Sequence, residues 1–310
     1  MEYRVLKYFL TVAQEENITR AASLLHISQP ALSRQLMQLE EELGVKLFER
    51  GKRKTCLTDA GNLLRRRAEE IIELTEKTEN EIRHHDSAVS GVINIGSGEA
   101  ETTRVLAELM RGFTEIYPEV KFNIYSDNAD PVKEKLEKGL IDIAVMLEPA
   151  EISGYEHVGI RRKERWGVYL PSKSRLAGLD KITPADLAGE RVFTPRRIKT
   201  QGVREWLGEY FDQLDVYASY NLLYNAAMLV DCGIGAAIAI EGAAALYKNP
   251  DIVFRPFFPE LTLSSVLVWK RHQSAAKAFF EVYRIHQRTR RRRRIALTSP
   301  PSRASLLVRI

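Results

Sequence analysis

Residues 18–61, ITRAASLLHISQPALSRQLMQLEEELGVKLFERGKRKTCLTDAG, restrict the fold more than any other stretch of the chain. A short helix over 19–25 is followed by a turn. Ser28 and Pro30 then occupy the N-cap and first-turn positions of a second helix running to Leu43. On that helix Leu32, Leu36, Leu39 and Leu43 recur at i, i+4, i+7 and i+11 and must be buried, while Pro30, Ser33, Arg34 and Met37 share the opposite face. This is a helix-turn-helix pattern, in which the first turns of the second helix meet base edges and phosphates. Glu41 lies two turns later on the same face, so the reading is confined to those first turns. The segment 46–54 carries Lys46, Arg50, Lys52, Arg53 and Lys54 against the single acid Glu49. Leu47 and Phe48 anchor it and Gly51 turns it, as in a wing that meets phosphate.

The same stretch resembles the N-terminal domain of LysR-type transcriptional regulators. The match runs through Ala21, Ala22, Leu25, residues 28–35, Leu39, Glu40, Leu43, Gly44, Leu47, Phe48, Arg50, Arg53, Leu57, Thr58, Ala60 and Gly61. It extends more loosely to about Gln287 and leaves out the last two dozen residues. The resemblance implies a bacterial, sequence-specific DNA-binding protein acting on a promoter operator in double-stranded DNA. Thr19, Ser28, Gln29, Pro30, Ser33 and Arg34 would lie at bases or adjacent phosphates, and Arg50, Lys52 and Arg53 on the backbone. It also implies a homodimer or homotetramer, with RNA polymerase as a further candidate partner.

Length suits two or three compact units, and no apolar run approaches the ~20 residues of a membrane span. With no secretion signal read at the N-terminus, a cytoplasmic protein without membrane contact is expected. Cys56, Cys232 and the scattered histidines match no metal or redox spacing, so no metal site and no cofactor are assigned. The formal charge of +5 belongs to the tail. From Arg288 onward there are eight arginines and no acid, and subtracting them leaves −3 for the rest. The informative cations are those of the wing.

Along the chain, the expected division is a winged helix-turn-helix domain over 1–57, a linker helix over 58–88, an effector domain over 92–288 and a basic tail over 289–310. A first helix over 2–15 closes the N-terminal core with Leu6, Phe9, Leu10 and Ala13, and Asn17 offers its C-cap or a turn. In the linker, Leu64, Ala68, Ile71, Thr75, Thr78 and Ile82 form a heptad seam amid charged faces. It reads either as a dimerising helix or as a solvated connector packed on its own chain.

From residue 92 the texture alternates. Strands are expected at 92–96, 120–126 and 141–147, with helices at 102–117 and 129–138 between them. A second unit has strands at 166–171, 191–195, 215–219 and 234–240, a capping box at Thr183, Pro184 and Asp186, and helices at 200–211 and 222–232. A strand at 263–269 and a helix at 274–288 return to the first unit. The fold expected is therefore an α/β effector region with mixed sheets in two lobes, 92–161 plus 264–288 and 162–263, behind an all-α winged helix-turn-helix. Residues 161–164 and the segment around Pro259 and Glu260 would be the crossovers. The resemblance implies the same two-lobed, periplasmic-binding-protein-like shape.

Ligands in open α/β sheets bind at the carboxyl ends of strands. The candidates for a small-molecule effector are Ser97, Gly98, Glu99, Thr102, Thr103, Ser126, Asn128, Thr194, Tyr220, Asn221 and Asn225. Each can equally be a helix cap. Glu99 and Asp127 oppose an acidic effector, so either they face solvent or the effector carries donors or positive charge. Neither a GxSxG elbow, a P-loop nor a zinc signature supports an enzyme. A solute-binding protein with a fused helical domain would need a secretion signal, and an architectural DNA binder would differ only in ignoring small molecules. The sequence-specific, ligand-responsive regulator is the reading the residues favour.

Overall fold

The computed structural model describes residues 1–50, 54–83, 91–196, 198, 202–244, 249–271, 278–280 and 282. Lys52 and Arg53, the expected helix over 274–288 apart from 278–280 and 282, and the whole basic tail lie outside the described residues. The chain divides into two compact units, Met1–Asp86 and Ser87–Ile310.

In the first unit, α1 (Tyr3–Glu15), α2 (Ile18–Leu24) and α3 (Gln29–Leu43) precede a two-stranded antiparallel hairpin, β1 (Phe48–Arg50) and β2 (Thr55–Leu57), and the long α4 (Asp59–Arg83). The apolar stripes meet in one core containing Val5, Leu6, Phe9, Val12, Leu32, Leu36, Leu39 and Phe48. The ring of Phe9 lies 5.2 Å from that of Phe48, which fixes the hairpin's root against α1. Asn17 caps the start of α2, its side-chain oxygen accepting from the Arg20 N–H, while Glu16 ends α1 in a left-handed conformation. Asn17 therefore serves the following helix and not the preceding one.

Two expected burials change. Leu43 is exposed, and Glu40, one turn earlier, is buried in its place. In α4 the seam divides: Leu64 and Ala68, with Ile72, pack into the unit's own core, whereas Ile71 and Ile82 are exposed, as are Leu63 and Leu74 beside the seam. Gly61 lets α4 begin close to the hairpin, since a Cβ there would collide with the Leu47 carbonyl oxygen.

The second unit is built on one nine-stranded mixed sheet. Its strands are β3 (Gly91–Ser97), β4 (Val120–Ser126), β5 (Ile143–Leu147), β6 (Glu156–Pro171), β7 (Arg191–Pro195), β8 (Asp215–Tyr220), β9 (Ala236–Ile240), β10 (Ile252–Pro256) and β11 (Thr262–Trp269). Their order is β4-β3-β5-β11-β6-β9-β7-β8, with β10 paired to β6. β3 is parallel to β4 and β5, and β7 is parallel to β8 and β9; β6 and β11 run antiparallel to each other between these halves. Helix α5 (Thr102–Ile116) buries Val105, Leu106, Leu109 and Phe113 with Phe279 and Val282 on one face of the first half. α6 (Ala129–Glu137) covers the other face through Val132 and Leu136. In the second half α7 (Val203–Leu207), α8 (Leu223–Asp231) and the short α9 (Glu241–Ala244) do the same work.

The crossover expected at 161–164 is a strand. β6 runs unbroken from one half into the other, and the register against β11 shifts between Ser264 and Ser265. The expected capping box is formed, with the Asp186 carboxylate accepting from the Thr183 N–H at 2.8 Å, but it heads only a four-residue 3-10 helix. The helix expected over 200–211 is reduced to α7 followed by a 3-10 turn.

Candidate functional site

Each unit holds one candidate. In the first, Ser28 Oγ accepts the Ala31 N–H at 3.4 Å and Pro30 lies in the first turn, so α3 starts cleanly. Gln29, Pro30, Arg34 and Met37 are exposed and Ser33 half-buried, while Leu32, Leu36 and Leu39 lock the other side. Gln29 Nε2 donates to Ser33 Oγ at 2.9 Å, so two amphoteric side chains are held together on the exposed surface. Thr19 is exposed on α2.

The hairpin is tied to α3 through Glu40. Its carboxylate accepts from the Leu47 N–H at 2.8 Å, the Phe48 N–H at 3.2 Å and Lys46 Nζ at 2.7 Å. Burial opposes the charged form, but the Lys46 ammonium and the two backbone donors outweigh it and hold the carboxyl below its ordinary range. Thr58 closes the base, accepting from the Gly61 N–H and donating to the Lys46 carbonyl. Lys54 pairs with Glu16. The leucine stripe does not mark Glu40 as a structural residue, although its place four residues after Leu36 signals the buried face.

In the second unit a cleft of about 800 Å³, its open mouth included, lies at the carboxyl ends of β3, β7 and β9. Of the sequence candidates, Ser97, Gly98, Glu99, Thr102, Asn128, Tyr220 and Asn221 line it; Thr103, Ser126, Thr194 and Asn225 do not. Thr194 is buried behind Pro195, which takes the lining position, while Ser126 and Asn225 point to exposed surface. The lining also includes an apolar wall whose sequence pattern is that of core, notably Met146, Leu147, Trp166 and Ile240.

Glu99 reaches across to α8, where Oε2 accepts the Leu223 N–H at 2.6 Å. Asp127 accepts from the Asn128 N–H at 2.7 Å and from the Tyr125 hydroxyl at 3.0 Å. Behind the lining, Glu164 is 1% exposed and accepts the Thr102 N–H at 3.2 Å. Burial drives its carboxyl above the ordinary range, against the backbone donors of Thr102, Glu101 and Gly242. Gly242 is required beside it, because a Cβ would strike the Glu101 nitrogen. Glu164 shares the buried side of β6 with Trp166, Val168 and Leu170, a period-two signal hidden in a charged run. The Tyr220 hydroxyl donates to the Ile238 carbonyl at 2.5 Å, so this side chain forms wall.

Residues 3–62 match the bacterial regulatory helix-turn-helix protein, lysR family, and residues 86–288 match the LysR substrate binding domain. The chain belongs to the LysR family of transcriptional regulators. Among relatives of this regulator, the uncharacterized HTH-type transcriptional regulator YybE of Bacillus subtilis is 28% identical over 275 residues, covering 87% of this chain and 92% of that one. BsdA of the same organism, an HTH-type transcriptional regulator, is 42% identical over 146 residues, 47% of this chain and 50% of its own. The crystal structure of CbnR, a LysR family transcriptional regulator, superposes with a TM-score of 0.73 at 24% identity, covering 92% of this chain and 98% of CbnR. CbnR complexed with its target DNA gives 0.72 at the same identity, covering 92% and 99%. The regulator thus combines a DNA-binding helix-turn-helix with an effector-binding domain of curled mixed sheet. None of its described helices is long and apolar enough to cross a membrane.

Proposed function

We propose that this regulator binds one promoter operator sequence-specifically and that a small-molecule effector in the cleft modulates that binding in the cytoplasm. The observation that carries the reading is α3: its capped N-terminal half leaves Gln29, Pro30 and Arg34 exposed while its leucines are fixed in the core. Such a helix end inserted into a major groove reads base edges, with Ser33 beside them and Thr19 and Ser28 at phosphates. Arg50, Lys52 and Arg53 of the wing supply sequence-independent affinity.

Residues 58–88 act as the linker that pairs two copies. The exposed stripe Leu63, Ile71, Leu74 and Ile82 supports this, because such a helix gains stability by covering its apolar side with a second copy. The assembly is a homodimer or a homotetramer, and RNA polymerase is the partner when the operator adjoins a promoter. Residues 92–288 hold the effector at Ser97, Gly98, Glu99, Thr102, Asn128, Tyr220 and Asn221.

The test is anisotropy of labelled DNA from the region upstream of the gene, titrated with the purified regulator and a panel of small metabolites. A metabolite that changes operator affinity, and loses that effect in a Ser97→Trp variant filling the cleft, is the expected result. Metabolites that act equally on both proteins would remove the cleft from the account.

A further inference from the structure

We infer that the cleft takes a cationic amine carried on an apolar body, with Glu99 and Asp127 as its charge partners. This rests on the cleft being the effector site.

Three helices begin at the cleft wall: Thr102, Ala129 and Leu223, the first residues of α5, α6 and α8, all line it. Helix N-termini ordinarily attract anions. Here each is already met by a carboxylate of the chain itself. Glu164 Oε1 accepts the Thr102 N–H at 3.2 Å, Asp127 Oδ1 the Asn128 N–H at 2.7 Å, and Glu99 Oε2 the Leu223 N–H at 2.6 Å. Each contact takes one N–H of its helix end and sets a carboxylate beside the rest, where it opposes an incoming anion.

What remains to a ligand is the acceptor side. A carboxylate offers about four lone-pair positions, and the contacts above take only part of those of Glu99 and Asp127. Among the described lining residues there are these two carboxylates and no Lys, Arg or His. An acidic ligand would meet two like charges, whereas an ammonium finds two partners.

The second observation is independent. Thr102 Oγ1 and Trp166 Nε1 belong to lining residues, are fully buried and have no hydrogen-bond partner. Native interiors rarely leave such atoms unsatisfied, and rotation of the Thr102 hydroxyl or the Trp166 ring toward the cleft would bring them to a polar group on a bound molecule. Met146, Leu147, Ile240 and the Trp166 ring provide the apolar surface for its body. Because Glu99 also ties the loop after β3 to α8, an ammonium that engages this carboxylate acts on a contact between the domain's two halves.

The experiment is calorimetric titration of the full-length regulator with benzylamine, benzamide and benzoate, three probes with one ring and different charge, up to about 10 mM. Benzylamine is expected to bind about tenfold or more tightly than benzamide, with benzoate weakest. Glu99→Gln and Asp127→Asn should each weaken benzylamine about tenfold and leave benzamide unchanged. Benzoate as the tightest probe, or benzylamine binding indifferent to both variants, overturns the inference. If benzoate or benzamide dominates and Leu222→Trp abolishes its binding, the ligand class is wrong and the cleft stands. If no probe binds, or all binding survives Leu222→Trp, the cleft reading falls as well.

Discussion

Glu40→Ala should loosen the wing from the reading helix without unfolding the helices. The substitution removes the acceptor of two buried backbone donors, the Leu47 and Phe48 N–H groups, at 2.8 and 3.2 Å. Each buried donor left unsatisfied costs about 1–3 kcal/mol. The Lys46 partner is 74% exposed, so its ion pair adds under about 1 kcal/mol. Near the lower end of that range, about 3 kcal/mol for the two donors and the ion pair together corresponds to at least roughly a hundredfold rise in the opening equilibrium of the hairpin root. Hydrogen exchange of a peptide spanning 45–50, followed by mass spectrometry on the full chain, reads this directly. Glu40→Gln keeps one acceptor oxygen and should lose less.

Acidity supplies a second axis. The folded carboxyl is held below its ordinary range, so its stabilisation is complete above the unfolded value near 4.5 and is lost as pH falls through the folded value. The gap in exchange between wild type and Glu40→Gln should therefore be full at neutral pH and shrink below about 4.5. Unchanged exchange at 45–50 in Glu40→Ala would refute the assignment. So would an equal acceleration across α1, which would mean that the whole unit and not the wing's attachment depends on Glu40.

Three other outcomes follow from the same structure. Ser33→Ala or Arg34→Ala should cost about 1–3 kcal/mol on the operator and little on random DNA, whereas Lys52→Ala should weaken both alike and lower the salt slope by about one; filter binding at several salt concentrations checks this. Leu74→Glu combined with Ile82→Glu should shift the regulator toward monomer in sedimentation velocity, and an unchanged sedimentation coefficient would show that the exposed stripe of α4 is not the pairing surface. Glu164 has a raised folded value, so the folded state binds its proton more tightly and stability falls as pH rises from the ordinary carboxyl range through that value. Glu164→Gln lacks this loss, and its melting temperature relative to wild type should rise between pH ~4.5 and neutrality; a pH-independent difference would remove the buried charge as the cause.

How far the sequence is readable depends on the physics of each element. α3 is legible because cap, first-turn proline and leucine stripe all agree. Leu43 departs from its stripe because Gly44 turns the chain away there, leaving Glu40 to fill the buried position with its hydrogen-bonding needs met by the hairpin. The α4 pattern contains two overlapping stripes, since a 3.6-residue helix drifts about 20° per heptad against a straight seam. Its first half packs on the unit's own core and its exposed apolar residues lie around the side. Residues 161–164 are legible as a crossover from their position between the two lobes, and β6 carries them as a strand with Arg162 paired to Glu101 and, just beyond, Arg165 to Glu241. β10 is short and does not stand out from its surroundings in sequence. In the cleft, the polar strand-end residues are legible from position alone, but apolar strand residues look the same whether they face a core or a ligand. Trp166 and Met146 can be placed only by the fold.

The most direct test of the central claim is the ratio of affinities of the full-length regulator for its operator and for scrambled DNA of equal length, measured at two salt concentrations. A ratio of about a thousandfold or more, sharply reduced by Arg34→Ala, is the predicted result. Equal affinity for both DNAs, with a salt slope that disappears when the residues from Arg288 onward are deleted, would contradict it and assign DNA binding to the basic tail.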